Sequence, residues 1–217
     1  MSAGAACRRG LLVSLAGLLL GACTALAPST LTPPTLYLLD RVDGQTPTRA
    51  PADAPSITVA RTRAAAGFDS ARIAYVRSSH RLEYFAHSEW VDPPAAMLAP
   101  LLVATLANSG AFRAVMPAAS AATSELWLDS EIVRLQQDFR SQPSHVRFTL
   151  RGAIVDTHTR RLLGWREFDA DVAAASDDPP AGVAAANEAV QTVLAELARF
   201  CVAINTAAAV ANRPAPK

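Results

Sequence analysis

The stretch His145-Val-Arg-Phe-Thr-Leu-Arg-Gly-Ala-Ile154, read together with Leu162-Leu-Gly-Trp-Arg-Glu-Phe-Asp-Ala-Asp-Val172, decides the fold. In the first, Val146, Phe148, Leu150, Gly152 and Ile154 fall on one side of an extended chain, with His145, Arg147, Thr149 and Arg151 on the other. That is the period of two of a strand with one buried and one wetted face. In the second, Phe168, Ala170 and Val172 alternate with Glu167, Asp169 and Asp171 in the same way. A loop around Thr157 to Arg161 joins them as a hairpin whose apolar sets share a face, with Val146 opposite Val172, Phe148 opposite Ala170 and Leu150 opposite Phe168. The same register sets Arg147 opposite Asp171 and Arg151 opposite Glu167, ion pairs worth about 0.2 to 1 kcal/mol each. Two independent patterns thus specify one antiparallel hairpin.

Upstream, Glu125 to Arg134 alternates Leu126, Leu128 and Ile132 against Trp127, Asp129 and Glu131, a further strand. Ile57 to Arg61 and Ile73 to Arg77 read as strands, with a turn or loop at Ala64 to Ser70 between them. Arg81 to Trp90 reads as a strand with Leu82, Tyr84, Ala86 and Trp90 on one side, and Tyr37-Leu38-Leu39 and Phe112 to Met116 as short ones.

Two helices complete the pattern. Asp92 offers an N-cap and Pro93 a first helical residue, ahead of a stripe of Met97, Leu98, Leu101, Leu102 and Leu106 that Asn108-Ser109-Gly110 stops. Pro100 inside the stripe costs a backbone bond, which predicts a kink or a late start. The second helix takes Asp178 as cap and Pro179 as first residue, and carries Val183, Asn187, Val190, Leu194, Leu197, Cys201 and Ile204 at spacings of three and four. The expectation is an α+β fold, a two-layer sandwich of a mostly antiparallel sheet with two long amphipathic helices on one face and the other face open.

The head of the chain carries a different kind of signal. Arg8 and Arg9 precede an apolar run from Leu11 to Leu20, the order of a secretory signal peptide. A membrane span needs about 20 apolar residues, and this run is half that. Gly21-Ala22 directly before Cys23 and after Leu20 resembles the lipobox of bacterial lipoproteins, in which the chain is cut before the cysteine and that cysteine is acylated. The expected organisation is a signal peptide over 1–22, an acylated Cys23 with a proline-rich tether over 23–35, a single domain over 36–205, and a disordered tail over 206–217.

Composition narrows the chemistry. The net charge is +1, lysine occurs once at the C-terminus, and no basic stripe or stacking platform is present, so nucleic acid is not an expected partner. With Cys7 removed and Cys23 acylated, Cys201 stands alone, and its place on the apolar side of a helix predicts a buried structural thiol. The four histidines lie in separate strands and turns without metal-ligand spacing, so no metal site is expected. Glu167, Asp169 and Asp171 share a face, yet Arg147 and Arg151 are their nearer use. No nucleophile elbow, phosphate-cradling loop or dinucleotide fingerprint occurs, so neither a cofactor nor an enzyme activity is expected. What remains is apolar: Trp127, Val155, Leu163 and Trp165 project away from the core face and would mark an exposed contact patch.

The lipobox, the tether, the Tyr37-Leu38-Leu39 strand, Arg81-x-x-Tyr84-x5-Trp90-x-x-Pro93, Met97-Leu98-x-Pro100-Leu101-Leu102-x3-Leu106, Ser109-Gly110-x-Phe112, the hairpin and the Ala-rich closing helix together resemble the ABC-type transport auxiliary lipoproteins. That family includes the lipoprotein of the paraquat-inducible intermembrane transport system. The resemblance implies a non-enzymatic component anchored through Cys23 at the periplasmic face of the outer membrane. It would work with an MCE-domain protein, an ABC ATPase and a permease that move lipids between the two membranes. Thr24 after the cysteine, where an aspartate would retain the chain at the inner membrane, agrees with this. Some relatives form rings, which leaves room for a homo-oligomer. The partner-binding candidates are Arg81, Tyr84, Trp90, Trp127 and Trp165. Two other readings stay open: a lipid-binding carrier, which needs a cavity between sheet and helices, and a lipoprotein hydrolase, which needs a convergent nucleophile and base.

Overall fold

A computed structural model of the chain describes residues 32–40, 49–120 and 122–211, with the backbone alone for 208–211. The signal peptide, Cys23 and most of the expected tether lie outside the described residues, as does 212–217. In chain order the elements are β1 (Thr35–Tyr37), β2 (Ser56–Val59), β3 (Arg63–Ala64), a 3-10 turn (Ala66–Phe68), β4 (Arg72–Ser78), β5 (Arg81–Trp90), α1 (Pro94–Asn108), β6 (Ala114–Pro117), β7 (Leu126–Asp138), β8 (His145–Asp156), β9 (Leu162–Ala173) and α2 (Pro179–Ala211). All belong to one compact unit that begins at Pro34. No helix among the described residues is long and apolar enough to cross a membrane.

The spine is β7. One edge pairs with β8 along its whole length, antiparallel, and β8 pairs in turn with β9. The other edge is shared by three separate pieces of chain, all parallel to it: β2 beside Leu126 to Leu128, β3 beside Glu131 and Ile132, and β4 beside Gln137 and Asp138. The sheet extends from β2 to β6, and from β4 through antiparallel β5 to parallel β1. The fold is α+β as the sequence predicts; its long pairings are antiparallel, and parallel pairing is confined to short segments. The hairpin register is the predicted one, with Val146, Phe148 and Leu150 opposite Val172, Ala170 and Phe168.

Two irregularities change which side chains face the core. A bulge between Ile132 and Arg134 reverses the alternation, so Leu135 takes up the inward position after Ile132. A second, between Ile154 and Val155, pairs Val155 with Leu162 and leaves Leu163 unpaired. The alternation predicts that Leu163 projects outward; it packs against the core, and Leu162 takes the outer place.

Both helices pack into one core with the inner residues of β2, β7, β8 and β9. Val190, Val193, Leu194, Leu197 and Cys201 of α2 are fully buried against Phe148, Leu150 and Phe168. Its axis is about 50 Å long and reaches Ala211, so the stretch from 206 to 211, expected as tail, continues the helix. Close approach of α2 depends on Gly152, Gly164 and Gly182. A Cβ at Gly152 would sit 2.9 Å from Leu197 Cδ1, and one at Gly182 would sit 2.1 Å from Gln137 Oε1. Asp178 caps α2 as predicted, its Oδ1 accepting from Ala181 N–H at 2.9 Å. Helix α1 starts one residue later than expected: Pro93 is the N-cap, with no side-chain hydrogen bond, and Pro94 the first helical residue. Asp92 therefore caps nothing, because the second proline of the pair already has the fixed φ that the first turn needs. Pro100 is accommodated within the helix, and Gly110, at φ 65°, ends it.

Candidate interaction surface

Helix α2 packs over one face of β8 and β9, α1 packs on β2, β3 and β6, and the opposite face of β7, β8 and β9 is ordered in rows across the three strands. At one end Trp127, Val155 and Leu162 lie side by side, followed two residues on by Asp129, Ala153 and Trp165. Trp165 is 59% exposed and Leu162 52%. Trp127 is half-buried, and its indole N–H donates to Asp129 Oδ1 at 3.2 Å. The rest of the face is a ladder of charge. Arg151 lies between two acids, its Nε donating to Glu167 Oε1 at 3.0 Å and its guanidinium also to Glu131 Oε2 at 3.3 Å.

Next along the ladder the Thr149 hydroxyl donates to Asp169 Oδ1. Arg147 then lies 3.1 Å from Asp171 and 3.6 Å from Asp138. His145 Nδ1 is 2.6 Å from Asp171. The Asp138 side chain is only 3% exposed and is gripped by Arg140. Hydrogen bonds from that guanidinium hold the carboxyl below its ordinary range, against the opposing effect of burial. The acids of β9 are thus spoken for by neighbours on β8, and among the described residues no group of three or more His, Cys, Asp or Glu is placed to hold a metal ion.

The sequence-predicted contact residues divide between two places. Trp127 and Trp165 share the open face. Arg81, Tyr84 and Trp90 all lie on β5, beyond the opposite edge of β7. Arg81 is exposed beside the β4–β5 turn, 3.5 Å from Glu83. Tyr84 is half-buried, donating its hydroxyl to the Gly67 carbonyl at 3.0 Å, with the Arg72 guanidinium 3.7 Å above its ring. Trp90, predicted as a contact residue, is 3% exposed and belongs to the core: its position on the inward side of β5 buries it with Tyr37 beside it. Leu162 enters the patch instead, and the sequence sign that could have revealed it is Gly164, a glycine inside a strand, where bulges form. Cys201 is fully buried, and burial pushes its thiol up to about 12, which removes it as a nucleophile at neutral pH.

The fold recurs in solved structures. Protein XCC0632 from Xanthomonas campestris superposes with a TM-score of 0.68 at 22% identity, over 81% of this chain and 99% of that one. An uncharacterized protein gives 0.63 at 15% identity, over 78% and 99%. The hypothetical protein CT253 from Chlamydia trachomatis gives 0.51 at 11%, over 74% and 99%. At these identities the likeness is one of fold. No curated protein matches the chain. The family described as ABC-type transport auxiliary lipoprotein component matches residues 37–198, from the end of β1 deep into α2. The span covers the spine, its three parallel partners, the hairpin and both helix contacts, and the chain belongs to this family of envelope lipoproteins, auxiliary components of ABC-type transport.

Proposed function

We propose that the protein is held at the periplasmic face of the outer membrane by acyl chains on Cys23 and acts by docking onto an MCE-domain protein. That partner would serve an ABC ATPase and permease that move lipids between the membranes. The observation that carries this reading is the open sheet face, where Trp127, Val155, Leu162 and Trp165 form an apolar end flanked by the Arg151 and Arg147 ladder. Tryptophan anchors beside a polar, charged rim are the composition of a protein contact. On this reading the protein works by contact, and Cys201, on the inner side of α2, is buried. Several acyl chains, at about 0.8 kcal/mol per buried CH₂, supply the anchor that one chain cannot.

The test is a pull-down of the acylated full-length protein with the MCE-domain protein of the same organism. Wild type binds, and Trp165→Ala with Trp127→Ala weakens binding by about tenfold or more. Undiminished binding by the double variant would remove this face as the contact, and absence of binding by wild type would remove the docking reading itself. Palmitate labelling that persists in Cys23→Ser would remove the anchor.

A further inference from the structure

The fifteen residues of α1, Pro94 to Asn108, contain no charged side chain. A surface helix normally turns a polar face to water, and one apolar all round is normally covered. Here Met97, Leu98, Leu101, Leu102 and Leu106 are buried, yet Ala99, Pro100, Val103 and Ala104 form one wall of an open groove. The end of β2, with Ala60 and Arg61, and the end of β6 form the rest, around a volume of about 680 Å³. Ala118 N–H donates to the Val59 carbonyl at 2.9 Å, which joins the two strand ends and uses their polar groups. Arg61 is the one charged residue of the lining; it is exposed and makes no ion pair with any described residue.

This chemistry differs from that of the Trp127 and Trp165 face. The groove has no aromatic or methionine anchor and no row of charges, the features of a protein contact. Its walls are methyl groups, methylenes and proline rings, and its single cation lies among them. A second cleft, of about 570 Å³ near Glu125, is unlike it: Thr58 bonds Ser124, Thr157 bonds the backbone, and Glu125 is held by Ser56 and Arg113. There the polar groups satisfy one another. The α1 groove is apolar and unoccupied by any described segment of the chain.

We infer that the groove between α1 and the ends of β2 and β6 holds one acyl chain of a phospholipid, with the lipid phosphate at Arg61. A flexible hydrocarbon follows a smooth wall that offers no side-chain sockets, and the guanidinium matches a phosphate oxygen pair. The inference is independent of the docking face and goes beyond it, because it makes the auxiliary component itself a lipid-contacting element.

The experiment uses the acylated full-length protein on vesicles of phosphatidylethanolamine and phosphatidylglycerol, doped with phosphatidylglycerol carrying a diazirine along one acyl chain. Irradiation followed by peptide mass spectrometry should place the adducts on Ala99 to Ala104 and Pro117 to Ala119. Ala104→Trp, which fills the groove, and Arg61→Glu, which opposes the phosphate, should each lower the adduct yield there by about tenfold. Val103→Phe serves the same purpose if Ala104→Trp fails to give a cooperative thermal transition. Trp165→Ala should leave the adducts unchanged, which separates this inference from the docking reading. Adducts spread over the open sheet face, a yield indifferent to groove filling, or equal labelling by a phosphate-free diacylglycerol analogue would overturn it. So would loss of MCE-protein capture in Ala104→Trp without any groove adduct in wild type, which would assign the groove to a protein partner.

Discussion

The side-chain amide of Asn187, near the N-terminal end of the buried stretch of α2, donates from Nδ2 to the Leu38 carbonyl at 3.0 Å. Its Oδ1 accepts from Asp40 N–H at 3.2 Å, so one side chain satisfies the backbone just past β1 on both sides. The helix thereby holds the first segment of the domain, although 149 residues separate the two in sequence. Asn187→Ala should cost about 1 to 2 kcal/mol in denaturant unfolding and should speed amide exchange at Asp40 ahead of the core strands. Unchanged exchange there would mean that β1 is held by its pairing with β5 alone.

Gly182 lies where α2 passes over Gln137, whose Nε2 donates to Ser144 Oγ at 2.9 Å. A methyl at this position must displace a buried amide that is already hydrogen-bonded. Gly182→Ala should destabilise the fold by about 1 to 3 kcal/mol. Adding Gln137→Ala should recover part of that loss, a coupling that a double-mutant cycle measures directly.

Glu125 ties β7 to the start of β2 through Ser56, whose backbone N–H donates to Oε2 at 2.9 Å. Burial is the largest single influence on its carboxyl and acts to raise the pKa, but the hydrogen bonds from Ser56 and Arg113 together outweigh it and hold the group at about 2. A folded pKa below the ordinary 4.5 means that its contribution is complete above about 4.5 and fades as the pH falls toward 2. Acid titration of stability should show this loss in wild type and a shallower slope in Glu125→Gln over the same window.

Cys201 should resist alkylation by iodoacetamide in the folded protein at pH 8 and react at once in denaturant, because its thiol is raised to about 12 and enclosed by the core. Cys201→Ala should keep full partner binding. Rapid labelling under native conditions would mean that α2 opens along its buried face.

Trp165→Ala should change stability by no more than about 0.5 kcal/mol, since the ring is 59% exposed. Leu197→Ala, a truncation at the centre of the α2 contact, should cost about 2 to 5 kcal/mol. A large loss in the first would show that the ring supports the fold, and its role as a contact residue would have to be reconsidered.

The β8–β9 hairpin was legible because two chemistries vote for one register: apolar alternation, and the opposition of Arg147 and Arg151 to Asp171 and Glu167. Helix α2 was legible from its spacing of three and four. The parallel segments β2, β3 and β4 were only partly so. A two-residue strand such as β3 has no period to read, and its place is set by the spine it lies against. The contact patch was half legible. Trp127 and Trp165 follow from alternation, whereas Leu162 and Leu163 exchange places through a bulge that shifts the face of every residue beyond it. Trp90 enters as a contact candidate through the family resemblance, while its own alternation with Leu82, Tyr84 and Ala86 already places it on the apolar side of β5, where it is buried. The groove on α1 escaped notice for a different reason: a stripe of leucine draws attention to the buried side, and alanine on the other side reads as neutral filler.

Strand β9 pairs on one side only among the described residues, and it shows Glu167, Asp169 and Asp171 in succession on its open face. Laid beside a second copy in parallel register, or antiparallel about Asp169, these carboxylates would stand opposite their own kind. Acidic side chains on an edge strand guard it against fibre-like growth, although here Arg147 and Arg151 of β8 offset part of that charge. A second copy could join at this border only in a register that keeps those carboxylates apart.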